Sequence, residues 1–358
     1  MQTVTVNLHE RSYPIYVGRN ILSNFAEVYS NHHQPQRLVI VTDRNVAPHY
    51  LRQLSNSLRH HGFEPTEIVI GIGERRKSLS QANAIFTKLL EEHLPRNAAL
   101  LALGGGVVGD VTGFVAATYR RGIRIVHIPT TLLGQVESAI GGKTAVNHPL
   151  SKNAVGVFYQ PTFVFSDIAL LSTLPRREII CGLGEVLKYA MLSETMFSFI
   201  DRHLERIFLV DPDIIQELVL NCNRMKAQMV SEDEREINPT GGRAVLNLGH
   251  TIGHALEHLS NYKLHHGEAV LIGLKLELRI ARATAIIGQD EFERIDSLLQ
   301  RVEFNPDLSF IKRKLLLEVL FGKNRRPMFV LPKKIGNVLF TGDIGVSTVQ
   351  AALKESIH

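Results

Sequence analysis

The sequence is poor in cysteine and has neither a long apolar run nor a dense basic cluster. Its two cysteines, Cys181 and Cys222, are too few and too far apart to suggest a disulfide framework or a metal knuckle. No apolar run reaches transmembrane length, and the first residues alternate apolar and polar side chains, unlike a signal peptide. We therefore expect a protein of the reducing cytoplasm that does not engage a membrane.

The excess of positive over negative charge is also small. The 358 residues carry a net charge of +5, and no run of lysine and arginine exceeds a few residues, so we expect no nucleic acid partner. A small cationic excess suits an anionic metabolite. The length predicts two domains, and 44% hydrophobic with 21% charged residues is typical of a globular protein. The unusual number is 16 histidines, several of them clustered.

The most informative stretch is residues 104–110, GGGVVGD, between apolar runs at 98–103 and 111–117. A strand, a glycine turn and a helix start in this order let backbone N–H groups approach a phosphate. Gly104, Gly106 and Gly109 fit the G-x-G-x-x-G pattern of dinucleotide-binding proteins, although such turns also serve strand–helix packing alone. The acidic residue expected about 20 residues later is missing.

Alternating strands and helices predict an α/β domain with a parallel sheet in the first half of the chain. Ligands bind beyond the carboxyl ends of such strands, where Asp43, Glu74, Lys77 and the glycine turn lie. Asp43 could bind a ribose hydroxyl in place of the missing acid, or it could cap the following helix. The predicted strands are 4–8, 13–18, 38–42, 67–70, 98–103, 123–128 and 163–165, with helices at 48–59 and 80–92.

Beyond Pro175 the apolar residues recur with helical periodicity. The predicted helices are 178–192, 194–209, 212–232, 248–258, 267–284 and 289–299, followed by a small hairpin of 328–331 and 338–340. We therefore divide the chain into a Rossmann-like α/β domain at 1–175 and an all-α domain at 176–358.

Histidines cluster in the second domain. His250 and His254 lie four residues apart on one helix face, His258 continues that face, and His266 opens the next helix. Glu185 lies on an otherwise apolar helix, where an unpaired carboxylate would be costly. Two histidines, a carboxylate and an open position suit a catalytic zinc, whereas isolated histidines usually cap helices or lie on the surface.

A dinucleotide domain combined with a metal-bearing helical domain predicts redox chemistry on a hydroxyl group. The metal would lower the hydroxyl pKa and NAD would take the hydride. Taken singly, a lysine or arginine is usually a solvated surface charge, but several here could surround an anionic substrate: Lys143, Lys152, Lys188, Lys226 and Arg243.

Together these motifs resemble the 3-dehydroquinate synthase family, within the sugar phosphate cyclases, along nearly the whole chain. The matching stretches are 104–110, 118–122 (TYRRG), 129–133 (PTTLL), 141–144 (GGKT), 147–153 (NHPLSKN), 184–189 (GEVLKY), 247–251 (NLGHT) and 265–268 (HHGE). The resemblance implies a homodimeric lyase that converts 3-deoxy-D-arabino-heptulosonate 7-phosphate to 3-dehydroquinate and phosphate in the shikimate pathway. It implies NAD, reduced and reoxidised within one turnover, and a divalent metal, zinc or cobalt.

The resemblance also implies roles for residues at matching positions. The implied metal ligands are Glu185, His250 and His266. The implied active-site residues are Lys143, Lys152, Asn153, Lys188, Lys226, Glu236, Arg243, Asn247 and His254, with Arg121 reaching the neighbouring subunit's site and Lys323 contacting the substrate phosphate. The implied cofactor-contacting residues are Asp43, Asn45, Glu74, Lys77, Gly105, Gly106, Val107, Asp110, Thr130, Thr131, Leu133, Glu137, Lys143, Lys152, Thr173, Leu174 and Glu178.

Three departures from the family pattern fall in substrate-facing places. Glu137 stands where the family usually has Asp, residues 237–242 form a longer segment than usual, and residues 322–324 replace an Asp-Lys-Lys. Because of these departures, a related cyclase that makes 2-deoxy-scyllo-inosose or a valiolone is an alternative function for this sequence. A metal-dependent polyol dehydrogenase and an inactive metal- or nucleotide-binding regulator are further alternatives. Lys152, Asn153 and Arg243 could bind a substrate carboxylate, which favours the dehydroquinate reaction.

Overall fold

The structure is a computed structural model that describes residues 1–32, 37–304, 306–309, 311–322 and 326–354. The chain forms two compact units, the first of Met1–Leu174 with Val210–Arg235 and the second of Pro175–Leu209 with Glu236–His358. One segment departs from the predicted division after residue 175. The helix Pro212–Glu232, expected in the second domain, belongs to the first unit. Its helical periodicity predicts a buried face but does not identify the core that covers that face.

The strands form one large sheet and two hairpins. In chain order they are β1 Gln2–Val6, β2 Tyr13–Gly18, β3 Leu38–Asp43, β4 Thr66–Ile70, β5 Ala99–Gly104, β6 Arg124–Pro129, β7 Lys143–His148, β8 Ser151–Phe158, β9 Phe163–Asp167, β10 Phe329–Lys334 and β11 Asn337–Thr341. The sheet of the first unit has the order β1-β2-β9-β6-β5-β3-β4. Only its β1–β2 pair is antiparallel, so the unit has the parallel sheet that the sequence predicts.

The helices divide between the two units. In chain order they are α1 Phe25–His32, α2 Arg52–His60, α3 Leu79–Glu91, α4 Gly106–Thr118, α5 Arg176–Leu192, α6 Glu194–Phe208, α7 Pro212–Glu232, α8 His250–Leu259, α9 His266–Ala283, α10 Gln289–Arg301, α11 Arg313–Phe321 and α12 Val346–Lys354. The first unit contains α1–α4 and α7, and the second contains the others. None of the helices in the described part of the chain is both long and apolar enough to cross a bilayer.

The central strands of the sheet are buried on both faces. Along β3, Leu38 and Ile40 point into one apolar core, which also contains residues of α1 and α2. Val39 and Val41 point into the opposite core, which contains residues of α3 and α4. Burial on both faces explains why β3 and β5 read as continuous apolar runs rather than alternating ones. This doubly covered sheet fixes the strand ends at which a cofactor is predicted to bind.

The hairpin of β7 and β8 was not predicted as strands, and it carries three predicted site residues, Lys143, Lys152 and Asn153. It lies against α4 because Gly113 leaves room for it: a Cβ at Gly113 would lie 2.3 Å from the Thr144 Cγ2. Only part of the hairpin is buried, so its sequence lacks the apolar run that would indicate a strand.

In the second unit, α5 and α9 are the most deeply buried helices. They approach closely at Gly267, where a Cβ would lie only 1.7 Å from the Cys181 carbonyl oxygen. The Gly267 N–H also donates to the Cys181 Sγ at 3.4 Å. This contact brings the helix that carries Glu185 next to the helix that begins with His266.

Candidate active site

The glycine turn lies where the parallel strands end. β5 ends at Gly104, α4 begins at Gly106, and the Thr130 N–H donates to the Gly104 carbonyl at 3.1 Å. A Cβ at Gly105 would lie 2.9 Å from the Thr131 Cγ2, so a larger residue at this position would displace the Thr131 side chain. The predicted cofactor positions 105, 106, 130 and 131 therefore lie together at the carboxyl ends of β5 and β6.

Asp43 holds the turn that follows β3 but does not cap the next helix, Ala47–Leu51, which begins after Val46 without a side-chain cap. The Asp43 Oδ1 accepts the backbone N–H groups of Asn45 at 2.8 Å and Val46 at 3.0 Å. This carboxylate ends β3 at the same edge of the sheet as the glycine turn. A contact with a ribose hydroxyl stays a prediction.

Lys77 and Asp110 form a partly buried ion pair beside the glycine turn. The Lys77 Nζ donates to the Asp110 Oδ2, and the lysine is only 5% exposed. Burial raises the pKa of Asp110, and the Lys77 ammonium opposes this rise. The pair fixes the first turns of α4 against the loop that follows β4.

Glu74 contacts polar side chains of the β7–β8 hairpin. Its Oε1 accepts the Asn147 Nδ2 at 2.8 Å and lies 3.8 Å from the Lys152 Nζ. The Asn147 Oδ1 in turn accepts the Asn153 backbone N–H at 3.1 Å. The structure therefore brings Glu74, Lys152 and Asn153 into one network, and the unpredicted residue Asn147 links them.

Lys226 belongs to the first unit, through α7. Its Nζ lies 2.7 Å from the Glu137 Oε1 and donates to the Glu137 carbonyl at 2.5 Å. The lysine is only 2% exposed, so the pair compensates a charge that would otherwise be buried alone. Glu137, the departure from the usual Asp, thus has a defined partner in the structure.

The remaining predicted positions of the first unit differ in their exposure. Lys143 is exposed at the start of β7, and Arg121 is exposed with a left-handed φ of +67°. Val107 and Leu133 are partly buried in the first turn of α4 and beside the loop after β6. The Thr173 Oγ1 lies 2.6 Å from the Tyr50 hydroxyl, one residue before Leu174. Lys323 lies outside the described residues.

In the second unit, one carboxylate oxygen faces two imidazoles. The Glu185 Oε1 lies 3.3 Å from the His250 Nε2 and 3.0 Å from the His266 Nε2. Ring nitrogens of His250, His254 and His266 lie within 4.8 Å of one another. The side chain of Glu185 is fully buried, whereas His254 is exposed. The structure thus brings the three predicted metal ligands together, with His254 beside them.

The far nitrogens of both imidazoles are also held. The His250 Nδ1 lies 3.1 Å from the Leu248 carbonyl, and the His266 Nδ1 lies 3.3 Å from the Glu257 Oε2. Metal-binding histidines usually donate their second ring N–H in this way. Glu257, which is buried, was not predicted from the sequence. His258, which we expected to continue the helix face of His250 and His254, is exposed and is not among the three histidines whose ring nitrogens converge.

Lys188 compensates the Glu185 charge one turn further along α5. The two side chains are in direct contact, and both are fully buried. Burial alone would raise the pKa of Glu185, but Lys188 and the two histidines hold it well below its usual range. Removing one partner of such a pair would leave a buried charge and cost about 3–5 kcal/mol.

The protein shifts the pKa values of the two imidazoles in opposite directions. Burial lowers the pKa of His250 despite the nearby Glu185. Burial also disfavours the charged form of His266, but Glu185 and Glu257 raise its pKa to about 9. A divalent cation bound here would displace the His266 proton, because only a neutral imidazole nitrogen can coordinate it.

Other predicted residues of the second unit also find partners within it. The Asn247 Nδ2 donates to the Glu236 Oε1 at 2.9 Å. Arg243 is buried in the short 3-10 helix Gly242–Asn247, which ends two residues short of α8. Glu178, predicted to contact the cofactor, lies 2.8 Å from the His265 Nδ1 and raises the pKa of that imidazole.

The donor set fits a divalent metal. Two imidazole nitrogens and a carboxylate oxygen converge, and three protein ligands with a further open position are typical of catalytic zinc. Lys188, Glu236, Asn247 and Arg243 belong to the same unit and carry hydrogen-bonding groups. This arrangement can polarise a hydroxyl group and bind anionic parts of a substrate.

Comparison with known proteins agrees with this fold. A 2-epi-5-epi-valiolone synthase from Streptomyces hygroscopicus, solved with NAD+ and Zn2+ bound, has a TM-score of 0.88 at 26% identity, and the match covers 98% of each chain. A 2-deoxy-scyllo-inosose synthase complexed with carbaglucose-6-phosphate, NAD+ and Co2+ also has a TM-score of 0.88, with coverage of 99% of this chain and 100% of that one. At 23% identity the second match shows the fold alone. The fold is that of the sugar phosphate cyclases.

Sequence comparison defines the family within this class. The family model for the N-terminal part of 3-dehydroquinate synthase matches residues 67–181, and the model for its C-terminal part matches residues 182–324. A 3-dehydroquinate synthase from Desulforamulus reducens is 39% identical, and the match covers 99% of this chain and 100% of the relative. The chain belongs to the 3-dehydroquinate synthase family.

Proposed function

We propose that the protein is a 3-dehydroquinate synthase, a carbon–oxygen lyase that converts 3-deoxy-D-arabino-heptulosonate 7-phosphate to 3-dehydroquinate and phosphate in the shikimate pathway. The observation that carries this proposal is the convergence of Glu185, His250 and His266 in a chain 39% identical to a 3-dehydroquinate synthase over nearly its full length. Family membership indicates the reaction, and the convergent Glu185, His250 and His266 side chains provide a site for the metal that it needs.

NAD and a divalent metal, zinc or cobalt, are the cofactors of the proposed reaction. Glu185, His250 and His266 would hold the metal, and the strand ends at Asp43, 104–110 and 129–133 would hold NAD. When bound, the metal lowers the pKa of the substrate hydroxyl and NAD takes up a hydride and later returns it.

The chain's own residues orient the substrate and balance its charge. Lys188 compensates the Glu185 charge inside the protein, and a bound divalent cation would displace the proton that His266 otherwise holds. The Glu236–Asn247 pair presents a carboxylate and an amide for the substrate hydroxyl groups. Lys143, Lys152, Asn153 and Arg243 would bind its carboxylate and phosphate. Binding a flexible substrate at this many points holds the reacting carbons in register.

The proposed reaction begins with an oxidation that makes a neighbouring proton acidic. Oxidation of the C5 hydroxyl to a ketone acidifies the adjacent C6 proton, and phosphate then leaves C7 by β-elimination. Reduction of the ketone restores the hydroxyl, the ring opens, and an intramolecular aldol step closes the carbocycle. We place this reaction in the cytoplasm and in a homodimer, in which the exposed Arg121 reaches the neighbouring subunit's site.

A coupled assay tests the proposal. The protein is incubated with NAD, zinc and the heptulosonate phosphate while phosphate and NADH are followed together. Phosphate release without net NADH is the expected result. Net accumulation of NADH would instead indicate a polyol dehydrogenase and overturn the proposal. Phosphate release from glucose 6-phosphate but not from the heptulosonate would identify a sister cyclase that makes 2-deoxy-scyllo-inosose.

A further inference from the structure

A second group of metal-ligating side chains lies at the start of α5, outside the Glu185 site. A carboxylate oxygen of Glu178, the Cys181 Sγ and a ring nitrogen of His265 all lie within 4.8 Å of one another. Glu178 and Cys181 are three residues apart on α5, so they share one helix face. His265 is the residue that precedes α9. The low cysteine count excludes a knuckle built from cysteines, but not a site with one thiolate.

The backbone holds this group together. Gly267 lets α9 approach α5 so closely that its N–H donates to the Cys181 Sγ. The backbone N–H of His265 donates to the Glu268 Oε2 at 2.7 Å, and the Arg177 guanidinium binds the same carboxylate at 2.7 and 2.8 Å. His265 is therefore fixed at its backbone, while its imidazole is turned toward Glu178 at 2.8 Å.

The spacing suits a small tetrahedral ion. Ligand atoms around zinc lie roughly 3.3–3.6 Å apart, given metal–ligand bonds of about 2.0–2.3 Å. The three donor atoms lie within 4.8 Å of one another, which is close to that spacing. The Cys181 Sγ is buried, but Glu178 and His265 are each about one-third exposed, 30% and 37% by side chain, which gives an ion a way in.

The local charge also suits a divalent cation. Glu268 is already paired with Arg177, so this pair adds no net charge to the site. A cation bound by Glu178, the neutral His265 imidazole and the Cys181 thiolate would have its two positive charges balanced by the carboxylate and the thiolate. Binding releases the thiol proton, and any proton shared by Glu178 and His265, to solvent.

We propose that Glu178, Cys181 and His265 form a second metal site, with one thiolate ligand, for a divalent ion of the zinc, cobalt and cadmium type. It lies on the same helix as Glu185, about 6 Å of helix rise from Cys181 to Glu185. The two sites differ in chemistry, because the Glu185 site offers only nitrogen and oxygen ligands whereas the second site offers sulfur.

Cobalt distinguishes the two sites. The full-length protein is stripped with a chelator and titrated with Co2+, while absorption and bound metal are both measured. We expect two equivalents per chain, and the weaker one should produce the near-ultraviolet charge-transfer band of a sulfur–cobalt bond. Binding of a single equivalent without that band would overturn the proposal.

Matched variants assign the band to its ligand. Cys181→Ser should abolish the band but retain the other equivalent, which also shows that the variant folds. Cys222→Ser, which alters the other buried cysteine, should keep both equivalents and the band. A band that persists in Cys181→Ser, or disappears in Cys222→Ser, contradicts the assignment.

Two more variants test the remaining ligands and the independence of the sites. His265→Ala should weaken the sulfur-bound equivalent by at least about tenfold, since even outer partners of metal ligands typically contribute that much. His250→Ala should remove the band-free equivalent and leave the band. Unchanged cobalt affinity in His265→Ala, or loss of the band in His250→Ala, would overturn a separate site of this composition.

Discussion

The carboxylate of Glu257 determines which nitrogen of His266 faces Glu185. Because the Glu257 Oε2 lies 3.3 Å from the His266 Nδ1, it keeps a proton on that nitrogen and leaves the Nε2 available to a metal. We expect Glu257→Gln to weaken zinc binding at the Glu185 site about 10–100-fold. Competition with a chromophoric chelator would measure the change in affinity.

The neighbouring His258 provides the control for Glu257. Its side chain is exposed, so His258→Gln should bind zinc as the wild type does. Wild-type zinc affinity in Glu257→Gln would show that the carboxylate does not orient His266.

Helix geometry explains why Glu257 was missed although its signal is in the sequence. The spacing of four residues from His250 to His254 predicts a shared face, but extending it by four more to His258 drifts about 80° from His250 around the axis. Glu257, seven residues after His250, lies only about 20° away. Glu185, by contrast, could be predicted, because a carboxylate within an apolar helix demands compensation.

Glu277 is a buried carboxylate that holds the start of α8. It accepts the backbone N–H groups of Gly249 at 2.6 Å and Ile252 at 3.4 Å, on either side of His250. Burial raises the pKa of Glu277 to about 8, although the N–H donors oppose this rise. The folded state therefore binds a proton that the unfolded chain, with an ordinary glutamate pKa of about 4.3, releases.

This difference predicts a pH-dependent stability. The contribution of protonated Glu277 is complete below pH 4 to 5 and falls by about 1.4 kcal/mol per pH unit until the pH passes about 8. Glu277→Gln should remove that loss, so its urea midpoint relative to the wild type should rise from pH 5 to pH 8. Glu318→Gln, at an exposed position, is the control for charge removal. Parallel curves for Glu277→Gln and the wild type would contradict the assignment.

Among the elements, the pair α5 and α9 depends on Gly267. A Cβ there would lie 1.7 Å from the Cys181 carbonyl oxygen, so Gly267→Ala must push the two helices apart. Overpacking against side chains typically costs about 1–3 kcal/mol, and a clash with backbone that cannot rotate away should cost at least the upper end of that range. Because Glu185 and His266 lie on these helices, zinc content should fall together with stability. Urea unfolding and metal analysis would measure both effects.

Gly288→Ala is the matched control for Gly267→Ala. A Cβ at Gly288 would meet nothing within 4 Å, and the residue lies in the same unit just before α10. This variant should unfold within about 1 kcal/mol of the wild type and retain its zinc. Equal stability and zinc content in Gly267→Ala would show that the helices do not depend on their close approach.

Strands that are buried on both faces could be predicted from the sequence, whereas a hairpin with mixed burial could not. The strands β3 and β5 read as apolar runs because cores cover both of their faces. The hairpin β7–β8 carries exposed Leu150, Val157 and Phe158, so its apolar residues do not mark one face. Periodicity located α7 but could not assign it to the first unit, because the residues that cover a helix come from distant parts of the chain. Lys226 was therefore expected in the wrong unit.

At the scale of the whole molecule, the predicted roles are divided between the two units. The predicted NAD positions at the strand ends belong to the first unit, and Glu185, His250 and His266 belong to the second. His266→Ala should therefore abolish zinc binding and turnover while NAD still binds, because each unit has its own core. Calorimetric titration with NAD and metal analysis would measure the two properties separately.

The converse variant, Gly105→Val, places a branched side chain against Thr131 and should weaken NAD binding at unchanged zinc content. Wild-type turnover in His266→Ala would refute the metal assignment, and loss of zinc in Gly105→Val would refute the division of roles.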